Sequence, residues 1–395
     1  MDAYLDHAAT GPMRPAAIEA MLPFLSERFA NPSGAHRLAR DARRAIDDAR
    51  DLLAEVVGAH PGEIVFTSGG TEADNLAVYG LSRSGTQGTA VCSAIEHHAV
   101  LDPVIDLGGT VIPVDDSGMV DLAALERALV ASPVRVLSVM GVNNEVGTIQ
   151  PIDEVVALAR RVAPDAVVHS DAVQAFCWTD VAALCASVDA FSLSAHKFGG
   201  PKGAGALIVR DGVEVRARQL GGGQERERRS GTQNVAAIVA MAVAADLASR
   251  ERAAIVAMAV AADLASRERA AELLRLGALR DRLLDGLLAI PGVIETAGPD
   301  RSRRAAGIAH VCIADVETEA LLFLLEREGV SASAASSCAS GAIETSHVLA
   351  AMGVDPMLAK GSLRLSLGWT TTDADIDEAL TVIPAAIERL RLFAA

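Results

Sequence analysis

The sequence predicts an α/β fold with a mainly parallel sheet, and three observations support this prediction. Short apolar runs alternate with segments of helical periodicity between about residues 60 and 210, which is typical of a parallel sheet covered by helices on both faces. A block of strand and helix patterns in a different order follows residue 270. With 395 residues, 51% of them hydrophobic, the chain is long enough for a large domain and a smaller one.

Seven apolar runs in the first block predict the strands of a seven-stranded sheet, and the segments between them predict its covering helices. The strand candidates are EIVFTS (63–68), TAVCSA (89–94), TVIPV (110–114), RVLSVMGV (135–142), AVVHSDA (166–172), DAFSLSA (189–195) and GALIVR (205–210). The helix candidates are EADNLAVYGL (72–81), LAALERALVA (122–131) and IDEVVALARRV (152–162). Ligands of such sheets bind at the carboxyl ends of the strands, so polar residues there are the first candidates for a site.

The second block predicts a smaller α+β domain. Its predicted elements are a helix over ALRDRLLDGLLAI (278–290) that ends at Pro291 and Gly292, strands near AHVCIA (309–314) and SLRLSL (362–367), and helices near TEALLFLLERE (318–328) and at the C-terminus. We expect a large domain over residues 15–270 and a small domain formed by residues 1–14 and 271–395.

One segment occurs twice in tandem. The seventeen residues AAIVAMAVAADLASRER stand at 236–252 and again, unchanged, at 253–269. Each copy is rich in alanine, lacks Gly and Pro, and predicts a helix. Seventeen residues add about 25 Å of helix and turn the apolar face by roughly 100°, at 1.5 Å and 100° per residue. One straight helix therefore cannot bury the same stripe of both copies, and we expect one copy to dock normally and the other to protrude, kink or bulge.

Composition and charge argue against several classes of protein. The formal net charge of −16 and the pI near 5.0 argue against binding of nucleic acid or anionic membrane by bulk electrostatics. The N-terminus lacks a secretory pattern, and the longest apolar stretches are about half as long as a membrane span, so a cytoplasmic protein is expected. The five cysteines form no C-x-x-C pair, which speaks against a disulfide framework and against a zinc site.

Lys197 is the first candidate for chemistry. The chain has 35 lysines and arginines together but only three lysines, and two of them, Lys197 and Lys202, stand in FSLSAHKFGGPKG (191–203). An arginine binds a phosphate or a carboxylate at least as well as a lysine does. Unlike a lysine, it cannot lose its proton and attack a carbonyl group. The segment therefore indicates a lysine that forms a Schiff base.

A glycine turn and an aspartate supply the partners that such a lysine needs. Gly70 and Thr71 stand between a predicted strand and a predicted helix, where backbone amides and a hydroxyl can bind phosphate; a plain tight turn is the alternative. Asp171 follows the strand in VVHSDAVQA, with Gln174 three residues on; a helix cap is the alternative for this carboxylate. A lysine that carries an aldehyde and a carboxylate that holds a proton on a pyridine nitrogen are the paired requirements of pyridoxal 5′-phosphate.

A serine and three histidines near these residues extend the hypothesis. Ser194 and His196 stand beside Lys197 and become donors to a phosphate. His97, in AIEHHAVL, follows a predicted strand, and a flat imidazole can stack on a flat ring or transfer protons. One of two adjacent histidines is usually a surface residue, so the role of His98 is left open.

Two asparagines and an arginine complete the polar candidates. Asn143 and Asn144 stand at another predicted strand end, where a turn would equally explain them. Arg364 lies on a predicted strand, SLRLSLGW, and can bind a substrate carboxylate through two parallel hydrogen bonds. A structural ion pair is the alternative for Arg364.

The cysteines differ in their surroundings. Cys92 and Cys312 stand in apolar strands and Cys185 in an apolar stretch with helix-like spacing, so all three are expected to pack inertly. Cys177 follows SDAVQAF, where approach to the site is the alternative, and is expected to pack. Cys338 lies in SASAASSCASGA, a run of small residues without periodicity that predicts a mobile loop. A thiol at the centre of such a loop is a candidate nucleophile.

Together these motifs closely resemble the cysteine desulfurases of the class V aminotransferase family, which have fold type I. Each motif is weak alone, but ten of them follow in family order over nearly the entire chain. The motifs are YLDHAAT, NPSGAHR, FTSGGTEADN, EHHAVL, NNEVGTIQPI, SDAVQ, SAHKFGGPKG, GGGQERERRSGT, SSCASG and LRLSLG.

The resemblance implies a cofactor, a reaction and an assembly. Pyridoxal 5′-phosphate would be bonded by Lys197, with Asp171 at the ring nitrogen, and L-cysteine would be held by Arg364 and converted to L-alanine. Cys338 would take the sulfur as a persulfide and deliver it to an acceptor protein. The chain would be a homodimer in which Thr232 reaches the cofactor phosphate of the neighbouring subunit. The resemblance assigns the other cofactor contacts to Gly70, Thr71, His97, Asn144, Gln174, Ser194 and His196.

Three other functions are compatible with the same residues. A selenocysteine lyase or another class V aminotransferase would share the fold, although an aminotransferase has no use for the thiol of Cys338. A structural homologue made inactive by the duplication is the third possibility. The sulfur acceptor, whether an iron–sulfur scaffold, a tRNA-thiolating enzyme or part of a cofactor pathway, cannot be read from the residues.

Overall fold

The computed structural model describes residues 2–84, 88–260, 271–334 and 346–394, with residues 252–260, 271–273 and 393–394 described by their backbone alone. The strands are β1 (Ala3–Tyr4), β2 (Ile64–Thr67), β3 (Thr89–Ser93), β4 (Thr110–Ile112), β5 (Val134–Ser138), β6 (Val167–Asp171), β7 (Ala190–Ser194), β8 (Gly205–Val209), β9 (Val293–Glu295), β10 (Ile308–Ile313), β11 (Val330–Ser331) and β12 (Ser362–Ser366).

Fifteen α-helices lie within the described residues. They are α1 (Pro15–Met21), α2 (Pro23–Ser26), α3 (Arg37–Val56), α4 (Gly70–Ser82), α5 (His98–Asp106), α6 (Leu122–Ala131), α7 (Ile152–Val162), α8 (Ala175–Trp178), α9 (Val181–Leu184), α10 (Val235–Val260), α11 (Ala271–Leu288), α12 (Thr318–Arg327), α13 (His347–Ala351), α14 (Pro356–Ala359) and α15 (Asp373–Ala394).

The main sheet has seven strands in the order β2-β8-β7-β6-β5-β3-β4, and each corresponds to a predicted strand. The five strands from β7 to β4 are parallel, and β8 runs antiparallel to both β7 and β2. The predicted mainly parallel α/β fold is therefore confirmed. β2, β6, β7 and β8 are buried throughout their length, because helices cover both faces of the sheet.

The parallel strands bring polar residues to one edge of the sheet. β5 ends at Ser138, β6 at Asp171 and β7 at Ser194. Since the carboxyl ends of parallel strands meet at the same edge, this is the edge at which a ligand site is expected.

A second, smaller group of elements has its own core. β12, β10 and β9 form an antiparallel sheet, and the N-terminal strand β1 pairs in parallel with β11. Side chains of β1, β10 and β12 pack together with those of α11, α12 and α15 in one buried hydrophobic cluster. This cluster is separate from the one that packs against the main sheet. The first residues of the chain therefore pack with its C-terminal part.

The first copy of the tandem repeat docks in the ordinary way. α10 begins at Val235 and continues without a break across the junction of the two copies to Val260. Ala240, Met241, Ala244 and Ala245 of the first copy are fully buried in the main core. The side chains of the second copy lie outside the described residues, so its predicted protrusion or kink stays a prediction.

Within the described ranges, no helix combines the length and the apolar character that crossing a bilayer requires. The same ranges contain no group of three or more His, Cys, Asp or Glu side chains arranged to hold a metal ion.

Candidate active site

A cavity of about 730 Å³ opens at the carboxyl edge of the main sheet. Ten of the twelve residues predicted for the site line it, although they come from six separate stretches of the sequence. These ten are Gly70, Thr71, His97, Asn144, Asp171, Gln174, Ser194, His196, Lys197 and Arg364. The structure thus brings together nearly all of the residues that the sequence patterns singled out.

Lys197 lies inside this cavity. It ends a 3-10 turn, Ala195–Lys197, that directly follows β7. Its Nζ atom donates hydrogen bonds to the carbonyl oxygens of Ala8 and Ala9, at 2.7 and 2.9 Å. The N-terminal segment therefore orients the amine, and the side chain does not extend into solvent.

Asp171 is a buried carboxylate at the end of β6. Its Oδ1 atom accepts a hydrogen bond from the backbone amide of Val173 at 2.8 Å, and Gln174, not Asp171, occupies the N-cap position of α8. Burial raises the pKa of Asp171 to about 6. The backbone hydrogen bond and the nearby charge of Lys197 both lower this pKa, but burial has the larger effect. The carboxylate is thus a buried negative charge close to the amine.

The turn between β2 and α4 has the form of a phosphate site. A Cβ atom on Gly70 would lie 2.9 Å from Val173 Cγ2 and 3.3 Å from Ser194 Cβ, so only glycine allows this close packing. The turn places the N-terminus of α4 at the cavity, where its amides and dipole attract an anion. Burial lowers the pKa of His196 to about 4, so this neighbour is a neutral donor.

His97 and His98 have different environments. His97 caps α5, and its Nδ1 atom accepts a hydrogen bond from the amide of Ala99 at 3.1 Å. Burial, and to a smaller extent the charge of Lys197, lowers the pKa of His97 to about 4. The ring is therefore neutral, and its proton is on Nε2. His98 is half-exposed and pairs with Asp102 at 2.9 Å, which places it at the surface.

Two neighbouring asparagines also have different roles. The side chain of Asn143 is buried, donates to the Ile95 carbonyl at 2.9 Å and accepts hydrogen bonds from the amides of Glu145 and Val146. It stabilises the turn. Asn144 instead lines the cavity.

Arg364 forms a structural ion pair, which was the alternative prediction for this residue. It also lines the cavity. Its Nη2 atom donates to Asp6 at 2.7 Å and its Nη1 atom to the Asn144 carbonyl at 3.1 Å. Its Nε atom is buried and finds no hydrogen-bond partner among the described residues. The sequence patterns did not identify Asp6, although it stands in the YLDHAAT motif.

Comparisons with known proteins agree with this geometry. The family model of the class V aminotransferases matches residues 3–379. The chain belongs to this family. An IscS-like cysteine desulfurase of Mycobacterium tuberculosis is 44% identical over 98% of this chain and 97% of its own length. Cysteine desulfurase IscS of Methanosarcina thermophila is 40% identical over 98% of this chain and 92% of its own length. The solved structure of a NifS-like protein superposes with a TM-score of 0.86 at 33% identity, covering 99% of this chain and 100% of that protein.

This class V chain is a cysteine desulfurase that depends on pyridoxal 5′-phosphate. The residues of the cavity fit that cofactor. An amine at Lys197, a buried carboxylate at Asp171 and the glycine-packed N-terminus of α4 are the groups that the aldehyde, the ring nitrogen and the phosphate require.

The other predicted residues lie away from the cavity or outside the described residues. Cys92, Cys185 and Cys312 are buried, and burial raises the pKa of Cys185 and of Cys312 to about 12, so these thiols are inert. Cys177 is partly exposed and donates to the Lys197 carbonyl at 3.2 Å. Thr232 is exposed and does not line the cavity. Cys338 lies outside the described residues.

Proposed function

We propose that this desulfurase converts L-cysteine to L-alanine and keeps the sulfur as a persulfide on Cys338. The observation that carries the proposal is the meeting of Lys197, Asp171 and Arg364 in one cavity with the N-terminus of α4. An amine, a carboxylate anion, a cation and a phosphate site together match the chemical groups of the cofactor and of an amino-acid substrate.

Each residue has a role that follows from its position. When bound, pyridoxal 5′-phosphate supplies an aldehyde and a ring that withdraws electrons from the substrate α-carbon. Lys197 would hold the aldehyde, and its neutral amine, when free, would remove the substrate α-proton. Asp171 would hold a proton at the ring nitrogen. His97 would stack on the ring, and Arg364 would bind the substrate carboxylate through its remaining N–H groups.

Cys338 is assigned the sulfur-transfer step. Its thiolate attacks the substrate sulfur, an S–S bond forms as the C–S bond breaks, and the electron pair remains with the substrate carbon. Lys197 then returns a proton to that carbon chain, which leaves as alanine. No external oxidant or reductant is needed to form the persulfide.

The described residues on either side of Cys338 support this assignment. The backbone of Ser333 pairs with that of Arg364 through two hydrogen bonds, of 3.2 and 2.9 Å, and Cys338 follows Ser333 by five residues in the sequence. On the other side, the Ser346 hydroxyl bonds to the buried carboxyl group of Glu145. Ser333 and Ser346 are therefore both tied to residues at or near the cavity.

We further propose that the persulfide is passed to a sulfur-acceptor protein in the cytoplasm. Two copies of the chain form a homodimer, and Thr232 reaches the cofactor phosphate of the other subunit. The large domain comprises residues 15–270, and the small domain comprises residues 1–14 and 271–395; the separate buried clusters of the two regions support this division.

Release of sulfide and alanine from cysteine by the Cys338→Ala variant tests the proposal. We expect this variant to keep the yellow colour of bound cofactor and to lose turnover. Cys177→Ala is the matched control, because Cys177 is a partly exposed thiol near Lys197 with no role in the reaction, and it should keep full activity. Full activity of Cys338→Ala would exclude the assigned nucleophile, and a colourless wild-type protein would favour the inactive structural homologue.

A further inference from the structure

A second carboxyl group lies in the wall of the cavity without a role in the proposed function. Asp74, on α4, lines the cavity and is only 1% exposed. Its Oδ1 atom has no hydrogen-bond partner within the described part of the chain. Its titratable neighbours are Asp171 and Glu96, which are buried as well. Three carboxyl groups therefore share one water-poor region in which the chemistry needs a single anion.

A hydrogen-bond chain across three strands of the sheet begins beside Asp74. The hydroxyl of Ser192, on β7, lies near the Asp74 carboxyl group; its influence lowers the pKa of Asp74, but burial and the charge of Asp171 raise that pKa by more. The same hydroxyl is 2.9 Å from Nε2 of His169, and Nδ1 of His169 is 2.9 Å from the hydroxyl of Ser138. These distances thus join β7, β6 and β5, and Asp74 on α4 lies at the β7 end of this chain.

His169 does not compensate a negative charge on Asp74. The two side chains are 3.8 Å apart, a distance at which a charged pair would be favourable. Burial lowers the pKa of His169 to about 3, so the imidazole is neutral and donates from only one nitrogen. An ionised Asp74 would therefore be a buried charge without a cation, which is costly.

Asp171 is the better place for the single charge. Its carboxylate accepts the Val173 amide at 2.8 Å and lies near the positive charge of Lys197. Burial, followed by the charge of Asp171, raises the pKa of Asp74 well above its ordinary value. Two neighbouring buried carboxyl groups do not both ionise at neutral pH, so the proton stays on Asp74.

We propose that Asp74 is a positioning residue for Asp171: it remains protonated, donates to the Ser192–His169–Ser138 chain, and leaves Asp171 as the one ionised carboxyl group available to the cofactor's ring nitrogen. The role at the ring rests on the proposed function, whereas the protonation of Asp74 does not. With the proton on Asp74, Ser192 donates to Nε2 of His169, and Nδ1–H donates to Ser138. Every member of the chain then has a partner.

Infrared spectroscopy of the full-length protein at pH 7 tests the protonation. Protonated carboxyl groups give a band that ionised ones lack, and two groups of this region, Asp74 and Glu96, are expected to contribute to it. Asp74→Asn, which has the shape of a protonated aspartate, should remove one part of the band. The matched control Glu96→Gln should remove a different part. An unchanged band in Asp74→Asn would overturn the proposal.

Two further measurements keep the test independent of variant folding and of the proposed function. Aspartate labelled with ¹³C at the side-chain carboxyl, in the otherwise unaltered protein, should shift part of the band; no shift would overturn the proposal. In the loaded enzyme, Asp74→Asn should leave the pH midpoint of the cofactor absorbance unchanged. A midpoint lowered by about one unit or more would show that a charge had been removed beside Asp171. A colourless protein would refute the proposed function and leave the infrared result valid.

Discussion

Arg364 forms a structural ion pair and lies where it could also bind substrate. Its guanidinium is buried, and the ion pair with Asp6 at 2.7 Å offsets the cost of taking that charge out of water. A guanidinium has five N–H groups, and the Asp6 and Asn144 contacts use two of them. The two interpretations of Arg364, ion pair and carboxylate binder, are therefore compatible. Asp6 fixes which edge of the guanidinium faces the cavity.

Glu96 gives a prediction about pH and stability. The Ser93 hydroxyl and the Met140 amide donate to Oε1 of Glu96, at 2.6 and 2.8 Å, yet burial raises the pKa of Glu96 from 4.5 to about 8. Between these values the folded protein binds a proton that the unfolded chain has lost, so this group reduces stability as pH rises. The free energy of unfolding loses about 1.4 kcal/mol per pH unit from one such group.

We expect Glu96→Gln to remove this slope. The variant should gain stability over the wild type progressively as pH rises from 5 to 8, measured as urea unfolding midpoints at three or more pH values. Glu19→Gln, at an exposed position, is the control and should run parallel to the wild type. Parallel curves for Glu96→Gln and the wild type would show that Glu96 is ionised in the folded protein.

Among the irregular elements, the turn Glu225–Glu227 has an unusual backbone. Its three residues have φ values of 50, 57 and 65°, in the left-handed region that favours glycine. The buried carboxylate of Glu225 holds the turn in place, because it accepts two hydrogen bonds from Arg50, at 2.9 and 2.8 Å, and one from the Phe66 amide at 3.0 Å. The turn therefore persists despite a conformational cost of roughly 1 kcal/mol or more per residue.

Glu227→Gly should stabilise the protein by about 1 kcal/mol, because Glu227 is exposed and glycine removes the left-handed cost. The rise in melting temperature on a calorimeter measures the effect. Glu227→Ala is the matched control: it removes the same charge but keeps a Cβ atom, so it should not stabilise. Equal stabilisation by both variants would assign the effect to charge and not to the backbone.

The tandem repeat leads to a prediction about deletion of one copy. Because the two copies are identical, deletion of residues 236–252 or of residues 253–269 produces the same polypeptide. The first copy supplies the buried face of α10 and, through Glu251, a two-hydrogen-bond ion pair with Arg14. The shortened chain keeps all of these groups.

We therefore expect the seventeen-residue deletion to fold, with a melting temperature no lower than that of the full chain. Its rate of sulfide release should be equal or higher. Circular dichroism and an activity assay measure the two results. Loss of the fold on deletion would mean that the second copy contributes packing of its own, and that the repeat is a functional part of the chain.

The elements also show what a sequence pattern can and cannot reveal. All seven strands of the main sheet were predictable, since each is a short apolar run between helices with clear periodicity, and the residues at their ends followed from topology. Asp74 and Asp6 were not predictable. Asp74 stands within an apolar helix and Asp6 within an N-terminal motif, and only long-range contacts, to β6 and β7 and to β12, give them a role.

In the molecule as a whole, the cavity combines residues of both buried regions. The main sheet supplies Lys197 and Asp171, and the smaller sheet supplies Arg364, whose backbone also pairs with Ser333. The site is therefore complete only when the two regions are packed together. Thr232 is the one described residue of the predicted site that lies away from the cavity. If it acts on a neighbouring subunit, the whole functional unit is larger than one chain.

Mixed dimers test whether Thr232 acts on the neighbouring subunit. Thr232→Ala alone should weaken cofactor binding by removing a phosphate donor, and Lys197→Ala alone should abolish turnover. In a dimer of one chain of each kind, the subunit with Lys197 receives Thr232 from its neighbour, so its site is normal.

An equal mixture of the two variants, unfolded and refolded together, should have about a quarter of its sites normal, because half of the dimers are mixed and each has one such site. Titration of sulfide release with cofactor would detect these sites by their wild-type affinity. If Thr232 serves its own subunit, the mixture shows only the weakened affinity.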